Sequence, residues 1–579
     1  MTKKSYFILT SLLLTVYGSN AWACGGFFCN ANQPVNQAAE RIVFARADGK
    51  INMHVQIQYQ GPPTDFGWIL PTAPDVETAI SSEALFSALD RIYGPRFNLN
   101  TTGNCPIPPS LDFESTSADP QAEADGGVQV LSREAVGPYD RAIIQAQSVD
   151  DLRAWLDEQQ FAIPESIDEK LSPYIQLGSA FVVIKLLAGN DASDLVPLRL
   201  TFSGDRPAIP ILPTGVAAEP DMGIIVHVMD QARAIPVNYR HVIINEAAID
   251  WLGGGQNYAD VVSQAADEAG GRAFVTDFAG AIDSQLRNSL EAPTEAALTA
   301  IAESTRLTDI LNQLPDRTNP DFIRIISSLV TPPDGVSASD FLSCPRCFDV
   351  EDPTIDGAQV AARLREEVVA AYEHINALTM QANYLTRLYS TMSPEEMEVD
   401  PIFSINVDLE DVSNFHSASN ELTCDDDGNQ ISQEIILADG RRIPVEQLDP
   451  IIRQEGETVR GTMTAAAASI EQMMEAGQPE VLEERTPEEM MPGMMTPDMN
   501  PNMNSDMNPN MNAMDMPSTG GETPPVPTAG DMGGQEQPNG AIEKESGGCQ
   551  QQGIQGTPWI FMVLLSAYVV RRKSHSIAA

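Results

Sequence analysis

Six methionines, Met491, Met495, Met499, Met503, Met507 and Met511, recur at every fourth position late in the chain. Thioethers are soft ligands suited to Cu(I), so this spacing offers metal capture as one possible chemistry. Pro497, Pro501 and Pro509 forbid an ordinary helix there, so the stripe is not a packing face. Repeat expansion in a linker would produce the same spacing. Cys344-Pro345-Arg346-Cys347 has the spacing of a redox disulfide, but Glu351-Asp352-Pro353 follows where a thioredoxin-like helix should run. A zinc set could add Cys424 and His416 to that pair, whereas oxidising surroundings favour a structural bridge. Asp425-Asp426-Asp427-Gly428-Asn429 suggests calcium, yet its glycine falls at the wrong offset for an EF-hand loop. A polar turn is the better reading.

The histidines are scattered. His54 sits among polar residues of an alternating strand, His227 lies within an apolar run, His241 begins a strand and His374 flanks the apolar seam of a helix. No His-Glu-x-x-His, Gly-x-Ser-x-Gly or phosphate-binding glycine loop is present, and Gly253-Gly254-Gly255 lacks the Lys-Ser/Thr such a loop needs. These absences favour a non-enzymatic ectodomain without a cofactor. A site assembled from distant residues remains open, and a cleft setting His54 or His241 against a carboxylate and a nucleophile would point to an enzyme, hydrolase-like in type.

The elements that would position such groups are partly legible. Arg41 to Arg46, Asp48-Gly49 and Ile51 to Gln60 read as a β-hairpin. In its second strand Ile51, Met53, Val55, Ile57 and Tyr59 alternate with Asn52, His54, Gln56, Gln58 and Gln60, which predicts one buried and one wet face. Ser82 caps a helix carrying Leu85, Phe86, Leu89 and Ile92. Further strands are expected over 66–70, 128–132, 142–146, 180–187, 198–202 and 224–229, and Tyr258 to Ala269 reads as a helix stopped by Gly270-Gly271. From about 280 the pattern turns helical, most clearly where Val360, Leu364, Val368, Ala371, Ile375 and Leu378 recur by threes and fours. The expected fold is α+β: an antiparallel β-rich half over 24–280, a mainly helical half over 281–478, a disordered Met/Pro/Asn-rich stalk over 479–548, and a terminal segment over 549–579.

Both ends carry export chemistry. Lys3 and Lys4, the apolar run Phe7 to Val16 and Ala21-Trp22-Ala23 form a secretory signal peptide over 1–23. At the other end, Trp559 to Val570 supplies ~18 Å of apolar helix, followed by Arg571, Arg572 and Lys573 on the side expected to face the cytoplasm. Without these ends the chain holds 29 basic and 81 acidic residues, a net charge of −52. Such a surface repels phosphate backbones and makes nucleic acid an unsuitable partner. The exported body keeps Cys24, Cys29, Cys105, Cys344, Cys347 and Cys424, six thiols that permit three bridges in any pairing. Cys549 stands apart in the tail.

The tail resembles the sorting tags of myxobacterial surface proteins, in which a cysteine precedes a short apolar helix and a basic cluster. That resemblance implies cleavage near Cys549 by sorting machinery and transfer to the cell surface, with the membrane engaged through a lipid there; a plain membrane helix is the alternative. Cys24-Gly25-Gly26-Phe27-Phe28-Cys29, Arg41-Ile42-Val43-Phe44, Phe66 to Pro71, Asn257 to Gly280 and Tyr384 to Phe403 together resemble an exported bacterial family, domain of unknown function 2330. That resemblance implies an extracellular module and no activity. The sequence therefore leads to an anchored envelope ectodomain whose ligand is unknown, with a dispersed hydrolase-like site and Cu(I) capture as alternatives.

Overall fold

Asp48 and Gly49 both adopt positive φ, and the tight turn they form folds Asn36–Ala47 back on Lys50–Gln60 as an antiparallel pair. This hairpin, expected from Asp-Gly, lies in a ten-stranded sheet. Its order is Glu480–Glu484, Ala467–Gln472, Arg240–Ile244, Ala273–Ala281, Tyr384–Met392, Ala218–Asp230, Asn36–Ala47, Lys50–Gln60, Leu198–Ser203 and Glu77–Ile80. The chain is seen here as a computed structural model, which describes residues 36–60, 67–105, 129–159, 161, 166–186, 195–216, 218–348, 350–445, 452–454, 457–459 and 465–490. The expected leader, Cys24, Cys29, the methionine run, Cys549, Trp559, Arg571, Arg572 and Lys573 lie outside the described residues.

Period-two alternation places Ile42, Phe44, Met53, Val55, Val226 and Leu388 on one face of the large sheet. They pack there on Trp68, Leu70, Ile143, Val182 and Ile184 of a four-stranded sheet ordered Gly67–Thr72, Ala180–Leu186, Tyr139–Gln145, Gln129–Val136. The far face of that smaller sheet is covered by the helices Val149–Glu158 and Ile167–Gln176 through Leu152, Trp155 and Leu171. Val43, Ala45, Met229 and Leu385 on the other face of the large sheet pack on the helix Glu83–Tyr93 and the helices between Ser284 and Gln381. The layers thus run helices, sheet, sheet, helices. Ser82 caps Glu83–Tyr93 by accepting from the Leu85 amide, and Gly271 closes Tyr258–Glu268 by donating to the Ala266 carbonyl at 2.8 Å.

The structure is α+β, with three differences from expectation. The large sheet is mixed, because Asn36–Ala47 runs parallel to Ala218–Asp230 and Arg240–Ile244 parallel to Ala273–Ala281. The helical run ends at Gln381 and strands return from Tyr384 to Glu484, so strands from both sides of residue 280 share one sheet. The Asn52, His54, Gln56 face is not wet. It lies under the helical layer, where His54 Nδ1 meets Ser81 Oγ at 2.6 Å and Gln56 donates to Glu83 at 2.6 Å. Alternation recorded the polarity of that interface correctly, but the partners are side chains instead of water.

Candidate active site

Arg240–Ile244 and Ala273–Ala281 run parallel but share only the pairs Arg240–Ala273 and His241–Phe274. On its other side Arg240–Ile244 pairs antiparallel with Ala467–Gln472, and His241 stands directly opposite Glu471. Cross-strand partners point to the same face, and residues two apart on a strand do too. His241, Glu471, Phe274 and Thr276 therefore share one face. A cavity of about 430 Å³ is lined by side chains of all three strands, together with Arg233, Glu246, Tyr258, His416 and the 409–412 segment.

The geometry inside is a relay. Glu471 Oε2 lies 3.0 Å from His241 Nδ1, and His241 Nε2 lies 3.0 Å from Thr276 Oγ1. Arg233 Nη2 donates to the same hydroxyl at 3.3 Å. Arginine can only donate and a carboxylate can only accept, so the proton order between them is fixed. Arg233 donates to Thr276, Thr276 donates to Nε2, and Nδ1–H donates to Glu471. His241, Thr276 and Glu471 are 5%, 8% and 9% exposed, so little water competes. Burial lowers the His241 pKa below its ordinary value of 6.5, an effect the hydrogen bond to Glu471 opposes and the Arg233 charge reinforces. The imidazole is accordingly neutral at neutral pH, the state a general base requires.

A β-bulge shapes the site, the register slipping between Thr276 and Phe278. The extra residue, Asp277, is buried and held by Arg387 and by the Tyr258 hydroxyl. Arg387 also faces Asp90 at 3.6 Å, which ties the bulge to the helix Glu83–Tyr93. His416 and Glu246 also line the cavity: His416 Nδ1 meets Glu246 at 2.7 Å, and its ring stacks on Phe97 with centroids 4.8 Å apart.

The sequence pointed to few of these groups. The sequence marks His241 as a strand start and, with His54, as a histidine that a cleft could set against a carboxylate and a nucleophile, but it names neither partner. Thr276 and Glu471, 35 and 230 residues away from His241, their shared neighbour in the relay, carry no local signal. Cys105 is bonded to Cys424 and Cys344 to Cys347, so Cys344, Cys347, Cys424 and His416 do not gather as a zinc set. Asp425 accepts from the amides of Asp427 and Asn429 at 3.0 and 2.8 Å, which makes a polar turn. Among the described residues no group of three or more His, Cys, Asp or Glu side chains is placed to hold a metal ion, and no helix is long and apolar enough to cross a membrane. His227 is buried in Ala218–Asp230, with no hydrogen-bond partner at either ring nitrogen among the described residues.

A family of uncharacterised proteins conserved in bacteria, domain of unknown function 2330, matches residues 18–318. The chain belongs to this family. No curated protein and no solved structure matches the chain. The matched stretch of this family member includes Arg233, His241 and Thr276, while Glu471 comes from beyond it.

Proposed function

We propose that this chain is an exported, surface-held enzyme that cleaves or transfers small acyl groups in the Thr276 cleft. The observation that carries the reading is the convergence of a hydroxyl, a neutral imidazole and a carboxylate in one cavity, each within 3.0 Å of the next. The sequence alone favours a non-enzymatic ectodomain, which expects no such convergence. Thr276 Oγ1 attacks the carbonyl carbon of an ester or amide as His241 Nε2 accepts its proton. Glu471 is a positioning residue that fixes the tautomer and offsets the imidazolium charge. The carbonyl oxygen gains the negative charge beside the Arg233 guanidinium, which has no ion-pair partner among the described residues. Collapse breaks the bond to the leaving group, which takes the proton from His241. Water then attacks the acyl-threonine with His241 again as base, releasing the acid and restoring the hydroxyl. A cavity of about 430 Å³ suits a small-molecule substrate.

Location outside the cytoplasm draws support from the leader-like start of the sequence and from two disulfides, bonds that persist in oxidising compartments. Anchoring, through a lipid at Cys549 or through the Trp559 to Val570 segment with its basic triplet, is part of the same proposal. Cu(I) capture by the methionine run is a separate property. A peptide covering 489–517 should bind Cu(I) far better than its Met→Leu copy, and equal binding ends that idea.

The enzymatic reading is tested with p-nitrophenyl acetate and a panel of small esters and amides on the purified protein. Turnover should fall roughly a thousandfold in Thr276→Ala and in His241→Gln, and should persist in Thr276→Ser. An acyl adduct on Thr276 should appear by peptide mass spectrometry. Equal turnover by wild type and a folded Thr276→Ala variant would sink the proposal.

A further inference from the structure

We infer that the cavity between the large sheet and the Gly357–Gln381 helical stretch is a second ligand site, taking a small molecule with one carboxylate or phosphate group against Arg199. The cavity holds about 510 Å³ and is lined by Thr78, Ile80, Arg199, Glu366, Glu367 and His374, among others. It is separate from the Thr276 cleft and the inference does not rest on the acyl-transfer reading.

Arg199 lies in Leu198–Ser203, flanked by Ala79 on one neighbouring strand and His54 on the other. Among the described residues no carboxylate approaches it within ion-pair distance, and its Nε is buried without a hydrogen-bond partner. The Thr78 hydroxyl, also lining the cavity, is another buried polar atom with none. Two of the nearby acids are committed elsewhere, while Glu366 is exposed on the cavity wall. Glu77 holds Lys50 at 2.7 Å, and Glu367 is clamped by Arg324 at 2.7 Å and Arg363 at 2.6 Å. A half-buried cation left beside an open cavity is a cost that an anionic ligand removes.

The histidines on this side of the cavity add hydrogen-bonding groups and no further charge. His54 and His374 have ring centroids 6.2 Å apart, and His374 Nε2 meets Asn52 Oδ1 at 3.1 Å. Burial, followed by the Arg199 charge, pushes His374 down to about 4, so at neutral pH both rings can offer neutral N–H or lone-pair contacts beside one fixed cation. The helical wall is unusual. Leu364–Val369 is π-helical between two α-helical segments, and such inserts are frequently found at functional sites. This insert carries both Glu366 and Glu367 and leads into the turn that brings Ala370, Ala371 and His374 to the cavity. Exposed Glu366 at the rim and the net charge of −47 disfavour polyanions, which limits the ligand to a single anionic group.

The test is calorimetric titration of the purified protein with inorganic phosphate and, separately, acetate, at matched ionic strength. Saturable binding of one or both is expected, and which of them binds identifies the phosphate or carboxylate class. Affinity should fall at least tenfold in Arg199→Gln. It should fall similarly in Ala370→Trp, which narrows the mouth with the arginine in place and so keeps the test valid if the first variant does not fold. Arg233→Gln should leave it unchanged. No saturable binding of either anion, or binding that survives Arg199→Gln and disappears in Arg233→Gln, overturns the inference.

Discussion

Arg233, Thr276, His241 and Glu471 form a string whose ends, a donor-only group and an acceptor-only group, leave one arrangement of protons. That order has a consequence for pH. His241 must be neutral to accept a proton, and its folded pKa lies below 6.5. Activity should therefore be full at neutral pH and decline as pH falls through that lower value. The hydrogen bond to Glu471 and that residue's charge hold the pKa up, so Glu471→Gln should move the acid limb to lower pH while reducing the plateau at least about a hundredfold. A limb that moves to higher pH in the pH–rate profile would contradict the assigned roles. Glu40 supplies a stability counterpart at the same scale. It is buried, one oxygen lacks a partner among the described residues, and desolvation raises its pKa from 4.5 to about 7. A raised carboxyl binds its proton more tightly when folded. Its contribution is complete below 4.5 and is lost as pH rises towards 7. Glu40→Gln keeps the shape and cannot ionise, so its advantage over wild type should grow by about 3 kcal/mol between pH 4 and pH 8 in urea unfolding. A difference independent of pH would rule out the buried carboxyl as the cause.

Between elements, the two bridges are expected to differ sharply in effect. Cys105–Cys424 joins positions 319 residues apart, just beyond Arg96–Gly103 and at the end of Phe415–Cys424, which pair in parallel. Cys344–Cys347 closes a loop of three residues. Restricting the unfolded chain counts for more when the closed loop is long. Replacing Cys105 and Cys424 by serine should cost about 2–5 kcal/mol, seen as a lower thermal midpoint, and replacing Cys344 and Cys347 much less. Equal losses in the two double variants would show that loop closure is not the deciding effect. Most individual elements were legible because their signals are local: Ser82 before an apolar stripe, Asp48-Gly49 between alternating runs, Gly270-Gly271 after a helix, and the stripe from Val360 to Leu378, all six members of which are buried. What period alone did not show was the covering of Asn52, His54 and Gln56. A polar face reads the same whether water or a layer of helices satisfies it. The π-helical insert at Leu364–Val369 was also hidden, since Val360, Leu364 and Val368 fit an unbroken α-helix.

At the scale of the molecule, the relay exists only because distant segments meet in one sheet. Glu471 belongs to Ala467–Gln472, which pairs with Arg240–Ile244 on one side and Glu480–Glu484 on the other. This explains why the sequence did not disclose the site: Thr276, His241 and Glu471 sit in three strands with no shared motif, joined only by the order of the sheet, and Arg233 comes from a fourth strand, Arg233–Pro236, outside that sheet. The family match ends at residue 318, before the strand Tyr384–Met392 that lies between Ala273–Ala281 and Ala218–Asp230. A fragment stopping there would lack the middle of the sheet. Ending the chain at residue 464 is a milder cut. It keeps Thr276, His241 and Arg233 but removes Glu471, exposes Arg240–Ile244 as an edge and uncovers the cluster of Val242, Ile244, Ala265 and Ala266. Unpaired edges beside apolar surface favour association between chains. A chain ended at residue 490 should retain the thermal midpoint and esterase turnover of the full protein. The chain ended at 464 should lose turnover at least about as much as Glu471→Gln, and should also associate in size-exclusion chromatography. If the shorter chain stays monomeric and keeps full turnover, the terminal strand pair is neither the closure of the sheet nor the source of the acid in the relay.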